Sequence, residues 1–373
     1  LRRIKQLGLT SLVYPGGIHT RFHHALGAMH LTRLALDVLR SKQVDISPEE
    51  YEATLIAILL HDVGHGPFSH SLEYVIIPNL HHEDMSLALM QYLNEEYEGK
   101  LDLAIRIFTG DYPRAFFHQL VSSQLDMDRM DYLIRDSFFT GVAEGVVGLD
   151  RIIKTLNVRN DQIVVESKGI YSVEKFIVAR RLMYWQVYLH KAALAADFML
   201  VNILRRARWL FEQGVSLGID ENLLYFFASS ISAKALTEEV IQRYVLLDDY
   251  DIEYAIKKWQ AHPDPVLSDL CQRLLFRRLL KVKLKNSQFD KEKERKYLKK
   301  AIAQLGISRE VADYYVFTGT VSNQAYLKGS KEPILIRFKN GKVKDLSKAS
   351  DIDNINALAE PVVKHYLCHP AIL

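Results

Sequence analysis

The chain has 373 residues, 49% hydrophobic and 25% charged, and its 48 Lys and Arg against 45 Asp and Glu leave a formal net charge of +3. That length exceeds one ordinary core, so two or three units packed as one body are expected, with the composition of a soluble globular protein. No apolar run reaches the ~18 residues of a membrane helix, and two distant cysteines, Cys271 and Cys368, exclude a disulfide framework and fit a reducing, cytoplasmic compartment.

Leu1 is not an initiator methionine, so further residues are expected before it. A basic segment, Arg2 to Gly8, leads to a turn at Tyr14-Pro15-Gly16-Gly17. A helix is predicted from Thr20 as N-cap, with Phe22, Leu26, Met29 and Leu34 on its buried side and His23, His24 and His30 along it. Arg21 and His24, three apart, share a face, which suits an arginine holding phosphate beside a metal-bound histidine. The next helix starts at Ser47-Pro48-Glu49-Glu50, with Ser47 capping and Pro48 in the first turn. Its apolar run, Leu55 to Leu60, delivers His61-Asp62 to the interior. A buried ionised carboxylate needs a cation or a metal, and His65 follows His61 by one helical turn if the helix continues. Gly64, Gly66 and Pro67 then break it and allow close approach of a ligand.

After Pro78, His81-His82-Glu83-Asp84 opens an amphipathic helix. From Gln124 to Asp136 a helix is predicted with Asp128, Asp131, Tyr132, Arg135 and Asp136 on one face and Met127, Met130, Leu133 and Ile134 on the other. Several carboxylates, a phenol and an arginine on one side make poor core and a good site. Gly141 to Gly148 reads as a loop and Ile163-Val164-Val165 as a short strand. Arg180 to Lys191 is predicted as one helix, with Arg180, Tyr184, Tyr188 and Lys191 along a stripe that suits a base or sugar flanked by phosphates.

Helical patterns run to about residue 275. Leu280 to Lys285 then alternates as a half-exposed strand, a charged helix follows, and Ile334 to Phe338 is joined to Val343 through Lys339-Asn340-Gly341-Lys342, a hairpin signal. The expected fold is mostly α, a helical body over 1–275 with a smaller C-terminal α+β unit over 276–373. Charge is concentrated at the start of that unit. Residues 277–300 hold eleven Lys or Arg against three Asp or Glu, a strip that attracts phosphates of nucleotides or nucleic acid.

Convergence of His24, His61, Asp62 and Asp128 would put imidazoles and two carboxylates around one ion, a set suited to Mn, Fe, Co, Ni or Zn. Such an ion acidifies bound water and polarises a phosphoryl oxygen. His65, His70, His82 and Glu83 would remain for proton transfer, and Arg21, Arg129 and Arg180 for phosphates. This is a phosphohydrolase site in outline.

These residues also carry a resemblance. His24, the adjacent His61-Asp62 and the distant Asp128 resemble the H…HD…D pattern of the HD-domain metal-dependent phosphohydrolases. More narrowly, Ile4 to Gly8, Tyr14-Pro15-Gly16, Arg21 to Gly27, His61 to His70 and Asp126 to Tyr132 are similar to the branch of the mammalian SAM-and-HD-domain and bacterial dNTP triphosphohydrolases, strongly over residues 1–200. No SAM domain is present in these residues. The resemblance implies hydrolysis of a dNTP to deoxynucleoside and tripolyphosphate by attack at the α-phosphorus. It implies His24, His61, Asp62 and Asp128 as metal ligands, with a second Mg arriving with substrate. Arg21, Arg129 and Arg180 would hold the phosphates, and His70, with His65, His82 and Glu83, would assist the leaving 5′-oxygen. Gln6, Leu7 and Asp136 would read the sugar 3′-hydroxyl, and Tyr132 and Tyr188 would crowd a 2′-hydroxyl.

The resemblance further implies a homo-oligomer, dimer or tetramer, with an activating nucleotide near Arg151, His190, Lys191, Arg277 and Lys281. His23 stands where an acidic residue is commoner in the family, and Arg129 where Lys also occurs. The alternatives are a phosphatase or phosphodiesterase acting on another nucleotide, and an inactive nucleotide- or nucleic-acid-binding regulator; nucleic acid is the less favoured partner. The Gly-Tyr-Pro extension of the cyclic-dinucleotide phosphodiesterases does not follow the HD motif.

Overall fold

In the computed structural model, residues 1–78, 80–228, 231, 236–329, 332–351 and 354–371 are described. The fold is mostly helical, with strands gathered in two small sheets. Thr20 is the N-cap of α1 (Arg21–Ser41), and its N–H donates to His23 Nδ1 at 3.1 Å. Ser47 and Glu50 form a reciprocal capping box at α2 (Pro48–Leu60), with Pro48 in the first turn where its missing N–H costs nothing. Then come α3 (Glu73–Ile76), α4 (His82–Glu96), α5 (Asp102–Thr109), α6 (Ala115–Val121), α7 (Met127–Thr140) and α8 (Leu149–Thr155). Gln124, just before α7, is clamped by the C-terminal segment: its side-chain amide donates to the Leu327 and Glu332 carbonyls and accepts from Leu327 N.

A hairpin, β1 (Leu156–Arg159) and β2 (Gln162–Glu166), turns through Asn160 and Asp161, both at positive φ as a tight hairpin turn requires. The chain continues through α9 (Ile170–Met183), α10 (Lys191–Glu212), α11 (Glu221–Ala228), α12 (Glu238–Val245), α13 (Asp249–Trp259) and α14 (Pro265–Leu275). After α14 come β3 (Lys281–Lys285), α15 (Lys291–Leu305), β4 (Phe317–Asn323), β5 (Leu335–Arg337), β6 (Val343–Asp345), α16 (Leu346–Ala349), α17 (Asn354–Leu358) and β7 (Val362–His369).

One sheet has the order β1-β2-β5-β6. Its β2–β5 pair is parallel, Val164 opposite Leu335, and the β5–β6 hairpin turns through Asn340 and Gly341. The other has the order β3-β7-β4, antiparallel throughout, with Cys368 of β7 opposite both Val282 and Phe317. The first sheet joins the segment after residue 275 to what precedes it by strand pairing, and the second, all of whose strands follow residue 275, joins it by packing. Ile334, Ile336 and Leu346 share a core with α1, α2, α7 and α9, while Leu280, Val282, Tyr315 and Cys368 share a second core with α10, α13 and α14.

Two expectations change. Leu26 is 40% exposed, and α1 instead buries Arg21, His24, Ala25, Ala28, Thr32, Ala35, Leu36 and Leu39. The buried face is set by the polar residues it delivers and by small residues that let α7 come close. A Cβ at Gly27 would collide with the Asp131 and Arg135 side chains. The helix expected over Arg180 to Lys191 is also not continuous. It ends as α at Met183, passes through a π turn, Tyr184–Tyr188, closed by Leu189 N donating to Tyr184 O at 2.7 Å, and restarts at Lys191. Inserted π turns of this kind recur at functional sites.

Candidate active site

Three elements bring the central cluster together. α1 supplies His24 from its first turn, α2 ends at Leu60 so that His61 and Asp62 lie just beyond it, and α7 supplies Asp128 from its own first turn. The helix does not continue from His61 to His65. The chain turns there, held by Ser86 of α4, whose hydroxyl donates to His61 O at 2.8 Å and accepts from Gly64 N at 2.9 Å. Phe68 and Ser69 follow at φ of 52° and 48°, an unfavourable region for residues with a Cβ, and such strain clusters at functional sites.

His24 Nε2 lies 3.0 Å from Asp128 Oδ1 and 3.8 Å from Asp62 Oδ2, and His61 Nε2 lies 3.3 Å from Asp62 Oδ1 and 3.6 Å from Asp128 Oδ1. Ligand atoms of His24, His61 and Asp62 all lie within 4.8 Å of one another. The other nitrogen of each imidazole is occupied: His24 Nδ1 by Asp131 Oδ2 at 2.8 Å, His61 Nδ1 by the Ile58 carbonyl at 2.5 Å. Both Nε2 atoms are therefore aimed at the shared centre, where they are buried and make no hydrogen bond of normal geometry. This arrangement, inner nitrogens free and outer ones anchored to a carboxylate or carbonyl, is that of metal-binding histidines. Two nitrogens and two carboxylates fit a divalent transition metal.

The electrostatics agree. Burial works against a charge on His24, but Asp128 and Asp131 outweigh it and push its pKa up to about 10. Burial likewise opposes, and Asp62 and Asp128 prevail in, the upward shift of His61. Against their own burial, Asp62 and Asp128 are held below the usual carboxylate range by the imidazoles beside them, with Arg21 adding to Asp62. The two carboxylates thus favour positive charge at this centre.

Beside the cluster lies a cavity of about 430 Å³. Asp62 and Asp128 reach its wall, and His24 and His61 stand behind them. Arg21 is buried and donates to Asp62 and, at 2.6 Å, to Ser69 Oγ. Arg129 is anchored to the Ser123 carbonyl at 2.6 Å and to Asp126 at 3.2 Å. His65, His82 and Glu83 line the cavity next to them. His82 Nδ1 lies 2.6 Å from Glu73 Oε1, the His65 and His82 rings are 3.9 Å apart, and Asp62, His65 and His82 form a second group within 4.8 Å. The side chain of His70 lies outside the described residues.

Gln6, Leu7, Tyr132, Asp136 and Tyr188 also line the cavity, together with Tyr184, whose ring the π turn sets 5.1 Å from that of Tyr188. Arg180 does not line it. It is buried and directs Nη1 toward the Gln124 carbonyl at 3.4 Å. Of the residues expected to bind an activator, Arg277 donates to the Leu12 carbonyl at 2.9 Å and the His190 ring packs edge-on to Tyr14, so both flank residues 8–14. Lys191 and Lys281 are exposed, and Arg151 donates to the Lys168 carbonyl at 3.0 Å.

Sequence reasoning assigned no role to several supporting residues. Asp249, from α13, accepts from Lys5 N and Phe68 N at 2.8 Å each, tying the segment that carries Gln6 to the HD turn. Asp197 of α10 lines the cavity, and burial raises its pKa to about 7 despite a hydrogen bond with Ser71. Asp131 was visible in the α7 stripe, and its spacing to His24 was not.

The HD domain pattern matches residues 21–136, and the HD associated region matches residues 147–216. The protein YwfO of Bacillus subtilis is 35% identical over 368 residues, 94% of this chain and 81% of its own. The chain belongs to the HD-domain phosphohydrolases. The HD protein described here also resembles the crystal structure of a phosphohydrolase from Bacteroides thetaiotaomicron, with a TM-score of 0.94 and 47% identity over 99% of this chain and 92% of that one. It is also similar to the deoxynucleoside triphosphate triphosphohydrolase SAMHD1 homolog of Dictyostelium discoideum, 32% identical over 226 residues, 56% of this chain. This chain spans only 44% of that relative's length. No single helix among the described residues is long and apolar enough to cross a membrane.

Proposed function

We propose that this HD protein hydrolyses deoxynucleoside triphosphates to deoxynucleoside and tripolyphosphate. The observation that carries the reading is one cavity with two chemically different ends. At one end Asp62, Asp128, Arg21 and Arg129 stand beside the candidate metal cluster; at the other Gln6, Asp136, Tyr132 and Tyr188 offer oxygens and aromatic faces. The named activity of the Dictyostelium relative supports the same substrate class.

His24, His61, Asp62 and Asp128 would hold the divalent ion, which when bound supplies Lewis-acid polarisation and a water of lowered pKa. Arg21 and Arg129, each fixed by protein oxygens, neutralise phosphate charge without having to be ordered by the substrate. His82, whose Nδ1 donates to Glu73, lines the cavity beside His65 and Glu83, and this group would exchange a proton with the leaving 5′-oxygen. Asp62, His65 and His82 form a second group that could hold an ion, and its two imidazoles suit a transition metal better than Mg. Tyr132, its phenol pushed up to about 12 by burial, stays neutral against the sugar.

A nucleotide bound near His190, Lys191, Arg277 and Lys281 would act on the cavity through residues 8–14, since Gly8 and Thr10 belong to its wall. Purified, Mn-supplemented protein incubated with each dNTP, alone and with GTP or dGTP, and resolved by anion exchange tests the proposal. Deoxynucleoside with tripolyphosphate is expected; orthophosphate alone contradicts it and moves the assignment to another phosphatase.

A further inference from the structure

Away from the active site, α4 and α12 enclose an open groove of about 760 Å³. Its floor is apolar, formed by Leu87 and Ala88 of α4 with Leu236 and Ile241. Its rim is acidic: Asp84 in the first turn of α4, Glu95 and Glu96 at the end of that helix, and Glu238 at the start of α12. No Lys or Arg lines the groove, and α4 contains none. The one cation of α12, Arg243, is taken by Glu239 at 3.0 Å. Among the described residues, none of the four rim carboxylates has a cationic partner.

Local stability does not explain this charge. The C-terminal end of a helix carries partial negative charge, so Glu95 and Glu96 stand where Lys or Arg is favoured, and no basic residue offsets them in the last turn. A cation arriving from outside would. One metal ion does not meet the need, because Asp84 and Glu95 are separated by roughly 16 Å along the helix. The ligand must instead spread its cations over about three helical turns and place apolar groups between them. The walls that would receive it are already set. Ser86 ties α4 to the HD turn, the Tyr244 hydroxyl of α12 donates to Gly64 O at 3.0 Å, and Gln242 reaches Tyr92 across the two helices at 3.5 Å. A groove fixed before binding loses little freedom when it is filled.

We propose that this groove docks a cationic amphipathic helix of a partner protein, with its apolar stripe on Leu87, Ala88, Leu236 and Ile241 and its Lys or Arg side chains against Glu95, Glu96 and Glu238. This is recognition of a helix in a groove, and it does not depend on the reaction assigned above. The cationic helix of the chain itself, α15, is a poor occupant from a second copy. Its Leu298, Ala301 and Leu305 pack against its own core, so the face it exposes has no apolar stripe to offer. A partner seated in the groove rests on the two helices that hold the HD turn.

Two fluorescein-labelled synthetic peptides, roughly 15 residues long, test the proposal with the full chain. One carries Leu at helical i, i+3, i+4, i+7 spacing with Lys on its other faces, and the second has Gln for every Leu at the same charge. By fluorescence anisotropy in about 0.1 M salt, the wild type is expected to bind the Leu peptide one to one and at least about tenfold tighter than the Gln peptide. Glu95→Lys with Glu96→Lys should weaken that binding at least about tenfold. The melting temperature should hold or rise, since cations suit that helix end. A Leu peptide with Glu in place of Lys should in turn bind the double variant better than the wild type. Equal binding of the Leu and Gln peptides overturns the proposal as charge attraction alone, and a double variant that binds like the wild type overturns it by placing the peptide elsewhere on the chain. Displacement of the Leu peptide by an equal concentration of spermine would make a polyamine the occupant, and a wild-type sedimentation coefficient that falls in the double variant would make it a second copy. Either result contradicts a partner helix.

Discussion

Asp131 never reaches the cavity, yet its contact with His24 Nδ1 decides which nitrogen of that ring faces the centre. Burial opposes a charge on Asp131, but Arg135 and His24 overcome it and keep its pKa low, so it stays an acceptor. Replacing an outer partner of this kind costs metal affinity without removing a ligand. Asp131→Ala is expected to weaken divalent-ion binding about 10–100-fold, measured by competition with a chromophoric chelator; unchanged affinity would mean that His24 is oriented by packing alone.

Asp197 makes a different prediction. Its pKa is raised to about 7 by burial, so the folded state keeps a proton that the unfolded state has already released above the ordinary carboxylate value of 3.8. Stability linked to this group is therefore full at low pH and lost as pH rises from about 4 through 7. Asp197→Asn removes the dependence. Its gain in melting temperature should be larger at pH 8 than at pH 5.5, and an equal gain at both would contradict the burial argument.

Among the elements, those with local causes were legible in the sequence. α1 and α2 begin where Thr20 and Ser47-Pro48 say they should, and the polar stripe of α7 carries Asp128, Asp131 and Asp136 on one side as its spacing requires. The π turn at Tyr184–Tyr188 was not, because one extra residue in a turn leaves an apolar and aromatic pattern that still reads as helix. Nor were the contacts of Asp249, or that of His19 with Asp136, which join residues more than a hundred positions apart and leave no periodic trace. Asp249 is the cleanest test of such a link between elements. Asp249→Ala leaves the Lys5 and Phe68 amides without their acceptor inside the protein, at a cost of about 1–3 kcal/mol each. A fall of several degrees in melting temperature is expected with loss of nucleotide binding. A variant as stable as the wild type would show that the HD turn holds its left-handed residues without this tie.

At the scale of the molecule, the site lies at the seam between the two cores. His24, Asp128 and Asp136 come from helices of the first, while Phe68, Met85 and the start of α10 belong to the second. The composition change near residue 275 was legible, but the strand pairings that cross it were not: β5 completes a sheet begun by β1 and β2, and β3, β4 and β7 cover α10. A chain ended at residue 275 is therefore expected to expose both cores and to melt without a cooperative transition in circular dichroism. A sharp melt near the full-length temperature would show instead that the helical body folds alone.

The central claim concerns which bond is broken, and turnover of a dNTP in ¹⁸O-labelled water followed by mass spectrometry of the products addresses it most directly. Attack at the α-phosphorus with departure of the 5′-oxygen places the label in tripolyphosphate and leaves the deoxynucleoside unlabelled. Label in orthophosphate or in a nucleoside monophosphate would contradict the account.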